Sequence, residues 1–294
     1  MAASWFFIAS WFPSAVAIFG NGLIIFMIIS KTSLHTLPNG FVISLALADF
    51  AVGLIYFPIY FFCGKLAFCE NSFGYGYDLA VLAIYSSVTN LCAMSVDRYI
   101  AIVKPLRYVA WMSSRRAALL VALAWIIPLA LDFFPALCAR LGKCNLTNKA
   151  LISSKMILLE IVPCLFLLII TIQIMLTARK HWWQNARLRA QLRIPLAYRR
   201  RYREISTAMV IIIVLVVFLA CYCVELYSVV RFLLNASTPT LEVFHVITFL
   251  IIVNSAANPI AYAMFKRDIR KELRSFCRHS RPADVTQHAG TAVW

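Results

Sequence analysis

A bundle of seven membrane-spanning α-helices, all-α with a C-terminal amphipathic helix, is the fold this sequence predicts, and three observations predict it. Of the 294 residues, 62% are hydrophobic and only 14% are charged. The apolar residues fall in repeated runs of the length, about 20 residues, that a helix needs to cross roughly 30 Å of hydrocarbon. The basic residues gather on one side of those runs, as expected where Lys and Arg are retained on the cytoplasmic face.

The runs lie near 5 to 30, 39 to 62, 73 to 102, 116 to 137, 151 to 178, 204 to 234 and 241 to 265. They leave no room for a second domain: residues 1–279 form one transmembrane unit, and 280–294 form a short cytoplasmic tail. The first run has no basic residues ahead of it and exceeds the roughly 7 to 15 apolar residues of a secretory signal, so it reads as a membrane helix. With the N-terminus outside, 22 of the 28 Lys and Arg residues fall at the inner face. The exceptions are Lys65, Arg140, Lys143, Lys149, Lys155 and Arg231. The net charge of +16 therefore reads as a topology signal and as attraction to anionic inner-leaflet lipid, not as nucleic-acid binding. The expected location is the plasma membrane, with the C-terminus in the cytoplasm.

Both glycosylation sequons, at Asn145 and Asn235, fall in loops that this topology places outside. Beyond the seventh run, Phe265, Ile269, Leu273 and Phe276 recur among basic residues, predicting an interfacial helix over 266–277. Cys277 at its end is a palmitoylation candidate. Among nine cysteines, Cys63, Cys92, Cys164, Cys221 and Cys223 read as small packing residues. Cys69, Cys138 and Cys144 lie at the outer face, where disulfides persist.

Polar side chains inside lipid are expensive, about 2.5 to 3.5 kcal/mol for a mid-helix Asp, so each asks for a reason. Asn21 sits in the first span, Asp49 in the second, Asn90 and Asp97-Arg98-Tyr99 in the third, and Asn254, Ser255 and Asn258-Pro259 in the seventh. Asp49, Ser87, Asn254, Ser255 and Asn258 are expected to converge in mid-bundle. One formal charge among neutral oxygens suits a small hard cation such as Na⁺; a water-bridged network without an ion is the other reading. Pro259 removes a backbone donor and kinks the seventh span.

With Trp125, Pro163 and Asn258-Pro-Ile-Ala-Tyr262 in their spans, these residues resemble, in type and order, the signatures of the rhodopsin-like (class A) G-protein-coupled receptors. The resemblance covers almost the whole chain. It implies a receptor that passes an extracellular ligand signal to a heterotrimeric G protein by rearranging helices, with Tyr262 swinging inward on activation. Arg98 can pair with Asp97 or across to Glu204, which lies 18 residues before Tyr222, the family's spacing for an acidic latch. Breaking such an Arg–Glu pair would release charges for a G-protein helix to satisfy. Leu106, in the second inner loop, is a candidate hydrophobic anchor for the G protein.

The chain also departs from the family. The cysteine that usually ties the third span to the second outer loop is replaced by Phe73, one helical turn from Cys69. Either Cys69 reaches Cys138 or Cys144, or those two close a small ring within the loop; the expectation leans to a bonded Cys69. In the sixth span Tyr222 replaces the usual tryptophan and Val224 the usual proline, which predicts a straighter helix. In the fifth, Thr171 replaces a tyrosine that helps hold the active state.

The ligand stays open. Ile252 stands where an opsin carries its retinal lysine, so no retinal and no other cofactor is expected apart from an allosteric Na⁺. Ala80 stands where amine receptors carry an aspartate, and Asp78, half a turn away, is expected to face elsewhere. The segment from Asn254 to Ala263 resembles the adenosine and melanocortin branches, but Val229 and Ile252 replace the amide and histidine with which adenosine receptors bind ligand.

The expected pocket residues are Val81, Ile84, Tyr85, Lys155, Glu160, Tyr222, Glu225, His245 and Thr248. Glu225 with Glu160 would suit a cationic ligand and Lys155 an anionic group, unless Lys155 pairs with one of these glutamates. A channel or transporter would also use Asp49, but no internal repeat is evident. A non-signalling scaffold or decoy would fit Tyr222, Val224 and Thr171 but not the intact Asp97-Arg98-Tyr99. No spacing of nucleophile and base suggests an enzyme.

Overall fold

The computed structural model describes residues 4–59, 61–62, 73–144, 149–191, 196–234 and 240–279. In chain order the helices are α1 (Ser4–Ser30), α2 (Leu37–Ile59), α3 (Phe73–Val103), the short α4 (Pro105–Trp111), α5 (Ser114–Arg140), α6 (Lys149–Lys180, continuing to Gln191), α7 (Leu196–Leu233), α8 (Leu241–Phe265) and α9 (Arg267–His279). Seven of them are long and apolar enough to cross a membrane. The seventh predicted span agrees with α8 to the residue, whereas the predicted start at 204 falls inside α7, which reaches back to Leu196.

Local chemistry sets several helix starts. Pro38 and Pro105 occupy the first turns of α2 and α4, where a missing N–H costs nothing. The Ser113 hydroxyl caps α5 by accepting from the Arg116 N–H at 3.4 Å, and Thr240 caps α8 through the Val243 N–H at 3.4 Å.

Polarity is distributed as lipid requires. Large apolar side chains such as Ile8, Phe12, Phe19 and Leu176 point outward, while Asn21, Asp49, Ser87, Asn90, Asn254 and Asn258 are buried between helices. The buried groups tie helices together: Ser44 Oγ donates to Asn90 Oδ1 at 2.6 Å, Trp125 Nε1 donates to Ser44 Oγ at 3.0 Å, and Ser14 Oγ donates to the Gly53 carbonyl at 2.7 Å. Bonds of this kind average about 0.6 kcal/mol in membrane bundles, so they fix register more than they supply stability. Gly20 is needed for close approach: a Cβ there would stand 2.8 Å from Pro259 Cγ, where α1 crosses α8.

Three helices carry a π turn in the half of the bundle that the charge pattern predicts to face outside, the outer half: Val52–Tyr56 in α2, Leu129–Phe133 in α5 and Ile157–Ile161 in α6. Each is followed by a proline, Pro58, Pro135 or Pro163, two residues beyond its end. A helical proline has no N–H for the carbonyl four residues back, and its ring collides with that carbonyl. Those carbonyls belong to Leu54, Leu131 and Leu159, the central residue of each π turn. The wider turn relieves the clash. α7 has no proline and runs as one uninterrupted helix of 38 residues.

Candidate functional site

A cavity of about 360 Å³ opens between α2, α3, α5, α6, α7 and α8 in the outer half of the bundle. Its lining includes Val81, Ile84, Tyr85, Lys155, Glu160 and Glu225, six of the nine residues expected from the sequence. Tyr222, His245 and Thr248 do not line it: Tyr222 stacks on Phe218 at 4.3 Å, His245 stacks on Phe6 at 4.5 Å, and Thr248 Oγ1 lies 3.2 Å from the Tyr56 hydroxyl.

All three π turns deliver a polar residue to this cavity: Tyr56, Asp132 and Glu160. Asp132 was not anticipated, and it corrects the expected role of Lys155. The Lys155 Nζ bonds Asp132 Oδ1 at 2.8 Å, and not a glutamate. Glu160 Oε1 instead accepts the Tyr85 hydroxyl at 2.7 Å. Glu160 Oε2 and Glu225 Oε2 are buried with no hydrogen-bond partner among the described residues.

At the outer edge a second correction appears. Asp78 does not turn away: it lines the cavity and pairs with Arg140 at the end of α5, whose Nη2 donates to Asp78 Oδ1 at 3.0 Å. Gly74 makes room for this, since any Cβ there would collide with the Arg140 guanidinium. Cys138 and Cys144 form a disulfide across six residues, which removes both proposed bonds from Cys69 to them because a sulfur has one disulfide partner. Cys69 itself, with Asn145, Asn235 and the tail 280–294, lies outside the described residues. Among the described residues, the tie between α3 and the end of α5 is this ion pair.

In mid-bundle Asp49 is fully buried and accepts Ser87 Oγ at 2.7 Å and Asn258 Nδ2 at 2.6 Å, one on each carboxylate oxygen. Asn254 and Ser255 are buried one turn away on α8, and the Ser255 carbonyl accepts Asn21 Nδ2 at 3.2 Å. Thr171 is buried and returns its hydroxyl to the Leu167 carbonyl at 2.6 Å, so it makes no link to another helix through it.

At the inner end of α3, Arg98 Nε donates to Asp97 Oδ2 at 2.7 Å, while the Tyr108 hydroxyl of α4 donates to Asp97 Oδ1 at 2.9 Å. Burial, then the Asp97 charge, pushes the Tyr108 hydroxyl up to about 12, so it remains a donor throughout the physiological range. Tyr262 is buried with its hydroxyl 3.8 Å from Met94 Sδ. Leu106 stands on α4 fully in the open, at 94% exposure. Glu204 and Cys277 lie in α7 and α9, but their side chains are outside the described ones.

Just past α8, Lys266 donates to Asn39 Oδ1 and lies 3.8 Å from Asp268 Oδ2. Asn39 in turn donates to Asp268 at 3.1 Å, which joins α9 to the start of α2. Burial pulls the Lys266 ammonium down to about 8 from its ordinary 10.5. Ile269 is fully buried beneath α9, on the apolar face that the sequence pattern had marked.

Seven helices able to cross a membrane thus carry a cavity at one end and an arginine–carboxylate cluster at the other. The family model for the 7 transmembrane receptor (rhodopsin family) matches residues 20–262. The chain belongs to this family and is a G-protein-coupled receptor of the rhodopsin class. It is 28% identical to octopamine receptor beta-2R of Chilo suppressalis over 90% of this chain and 79% of that one. It is 29% identical to adenosine receptor A2b of Mus musculus over 87% and 85%. Against dopamine receptor 2 of Drosophila melanogaster it is 40% identical over 41% of this chain, a match that spans 23% of that receptor's length.

Proposed function

We propose that a small molecule entering the outer cavity, from the extracellular side, changes the packing of α3 and thereby releases Arg98 to a heterotrimeric G protein. The observation that carries this reading is the continuity of α3. One unbroken helix, Phe73–Val103, presents Asp78, Val81, Ile84 and Tyr85 to the cavity and Asp97 and Arg98 to the inner face. A ligand and a G protein would therefore bias one element, which is how coupling between distant sites acquires a physical basis. Relatives named for dopamine, octopamine and adenosine are receptors for small molecules, and a cavity of about 360 Å³ is at the small end of ligand pockets.

Within this reading the N-terminus is outside, Leu106 is the exposed apolar contact for the G protein, and Glu204 completes the latch on Arg98. Tyr99, which follows Arg98, and Pro259 with Tyr262 belong to the same moving region. The Asp49 cluster fits Na⁺ by its donor chemistry, a buried carboxylate beside the oxygens of Ser87, Asn254, Ser255 and Asn258. A bound Na⁺ would supply a positive charge that holds α2, α3 and α8 together in the resting arrangement.

The test is ligand-free G-protein activation in cells across a panel of Gα subtypes, at matched surface expression. Glu204→Ala is expected to raise the signal and Arg98→Ala to lower it. Silence from the native chain and from both variants, despite surface delivery, would favour a scaffold or decoy instead.

A further inference from the structure

Resting on the receptor reading above, we infer that the ligand is a small organic cation, a primary or secondary ammonium compound without an anionic group, held by Glu160 and Glu225. The argument begins with charge in the cavity. Four carboxylates line it, those of Asp78, Asp132, Glu160 and Glu225. Asp78 is neutralised by Arg140 and Asp132 by Lys155. That leaves Glu160 and Glu225, each with one buried oxygen that has no partner among the described residues. Glu160 is only 7% exposed, and its remaining oxygen accepts from Tyr85, a neutral donor that brings no charge.

A buried carboxylate without a cation is costly, so such a group either takes up a proton or is met by a cation that can displace that proton. Among the described residues no cation forms an ion pair with either glutamate. Lys155 bonds Asp132, Arg140 bonds Asp78, and Lys149 lies over the Phe232 ring at 5.9 Å at the edge of the cavity. The missing charge is therefore one that a ligand can bring.

Lys155 does not favour an anionic group, because Asp132 occupies it at 2.8 Å and four carboxylates would repel a fifth acid. A zwitterion is excluded on the same ground. The two carboxylates approach from different helices, Glu160 from α6 and Glu225 from α7. A nitrogen bearing two or more N–H donors can reach both, whereas a quaternary nitrogen offers none. Tyr77, Tyr85, Phe232 and Phe244 supply ring surface for the rest of a small molecule. Ligand binding would thus draw α6 and α7 together through one shared cation.

The experiment uses the full-length receptor in lipid nanodiscs and follows its thermal unfolding. The probes are 2-phenylethylammonium and n-butylammonium chloride, with 2-phenylethanol, phenylacetate, phenylethyl-trimethylammonium and an equal concentration of sodium chloride as controls. The expected result is a rise in midpoint with the two N–H-bearing ammonium compounds alone. Glu225→Gln and Glu160→Gln are each expected to weaken that binding by about thirtyfold or more, the loss typical of removing one partner of a buried charged pair. Glu225→Gln keeps the size and shape of the side chain, so the empty receptor should unfold at a midpoint no lower than that of the native chain; this shows that the variant is folded. If it does not reach the membrane, Glu160→Gln carries the same reading.

The inference is overturned if neither ammonium compound shifts the midpoint, if phenylethanol or phenylacetate shifts it equally, or if the shift survives both substitutions. Ligand-free nucleotide exchange on the G protein is measured alongside. Persistent Arg98-dependent exchange with no ammonium effect removes the cation assignment and leaves the receptor reading intact. An ammonium shift without any exchange does the reverse.

Discussion

The outer and inner halves of this bundle are built by different rules. In the outer half, α2, α5 and α6 each widen into a π turn that ends two residues before a proline, and each π turn carries one polar side chain into the cavity. In the inner half the described helices are regular, and the two signature aspartates have partners on their neighbours: Asp49 in Ser87 and Asn258, Asp97 in Arg98 and Tyr108. Asp49 and Asp97 are thus partnered on both oxygens, while the outer half holds two glutamates that each bury one oxygen without a partner among the described residues. A signal that starts outside and ends inside would have its source and its sink arranged in this order.

The sharpest way to break that contrast is to take away the one lysine inside the cavity. Lys155→Met leaves Asp132 buried without its cation and is expected to cost about 2 to 4 kcal/mol, discounted because Lys155 is about a third exposed. Asp132→Leu combined with Lys155→Met should recover most of it; thermal unfolding of the single and double variants measures both. A double variant no more stable than the single one would mean that the pair does not hold the outer half together.

The loop ring should matter less than its cysteines suggest. Replacing Cys138 and Cys144 with serine opens a ring of only six residues' separation and is expected to cost about 2 kcal/mol or less. Ligand-free signalling should survive, since Arg140 and Asp78 still hold α5 against α3; a signalling assay on the serine variant, with Arg140→Ala for comparison, checks this.

In the inner half, Asp49→Asn should abolish any difference in unfolding midpoint between sodium and potassium chloride at equal ionic strength. If the native chain shows no difference to begin with, the Asp49 cluster is a hydrogen-bonded network and not an ion site.

The smallest effect is expected at Lys266. Its protonated form is the one burial disfavours, so between pH 8 and 10.5 the folded chain has released a proton that the unfolded chain still holds. Stability should therefore gain from rising pH across that window, and Lys266→Gln should remove this gain; midpoints compared at pH 7.0 and 9.5 are sufficient.

Much of this was legible in the sequence. Hydropathy runs located all seven crossing helices, and the alternation of apolar and basic residues after Phe265 located α9, because lipid imposes length and amphipathicity on any chain that crosses or lies on it. The cavity's Glu160, Glu225 and Lys155 were found because an ionisable group in an apolar run demands an explanation. Asp132 satisfied the same criterion inside Leu129-Ala-Leu-Asp-Phe133 and was passed over, though that signal was sufficient to find it.

The pairings were harder. Arg140 and Asp78 are 62 residues apart, and no spacing rule reveals that they meet or that the guanidinium rests over Gly74. The π turns were equally hidden: Pro13, Pro128 and Pro259 sit inside helices as well, so a proline in an apolar run does not by itself say where a turn widens.

Those π turns also bear on how this receptor can be lined up with its relatives. A π turn takes up about one residue more than the α-helical turn it replaces. Positions counted outward from an inner landmark such as Asp49, Trp125 or Pro163 therefore slip by one once Leu54, Leu131 or Leu159 is passed, unless the relative widens at the same place. Counting from those landmarks is unshifted on the inner side of the three turns and offset on the outer side, where the cavity lies.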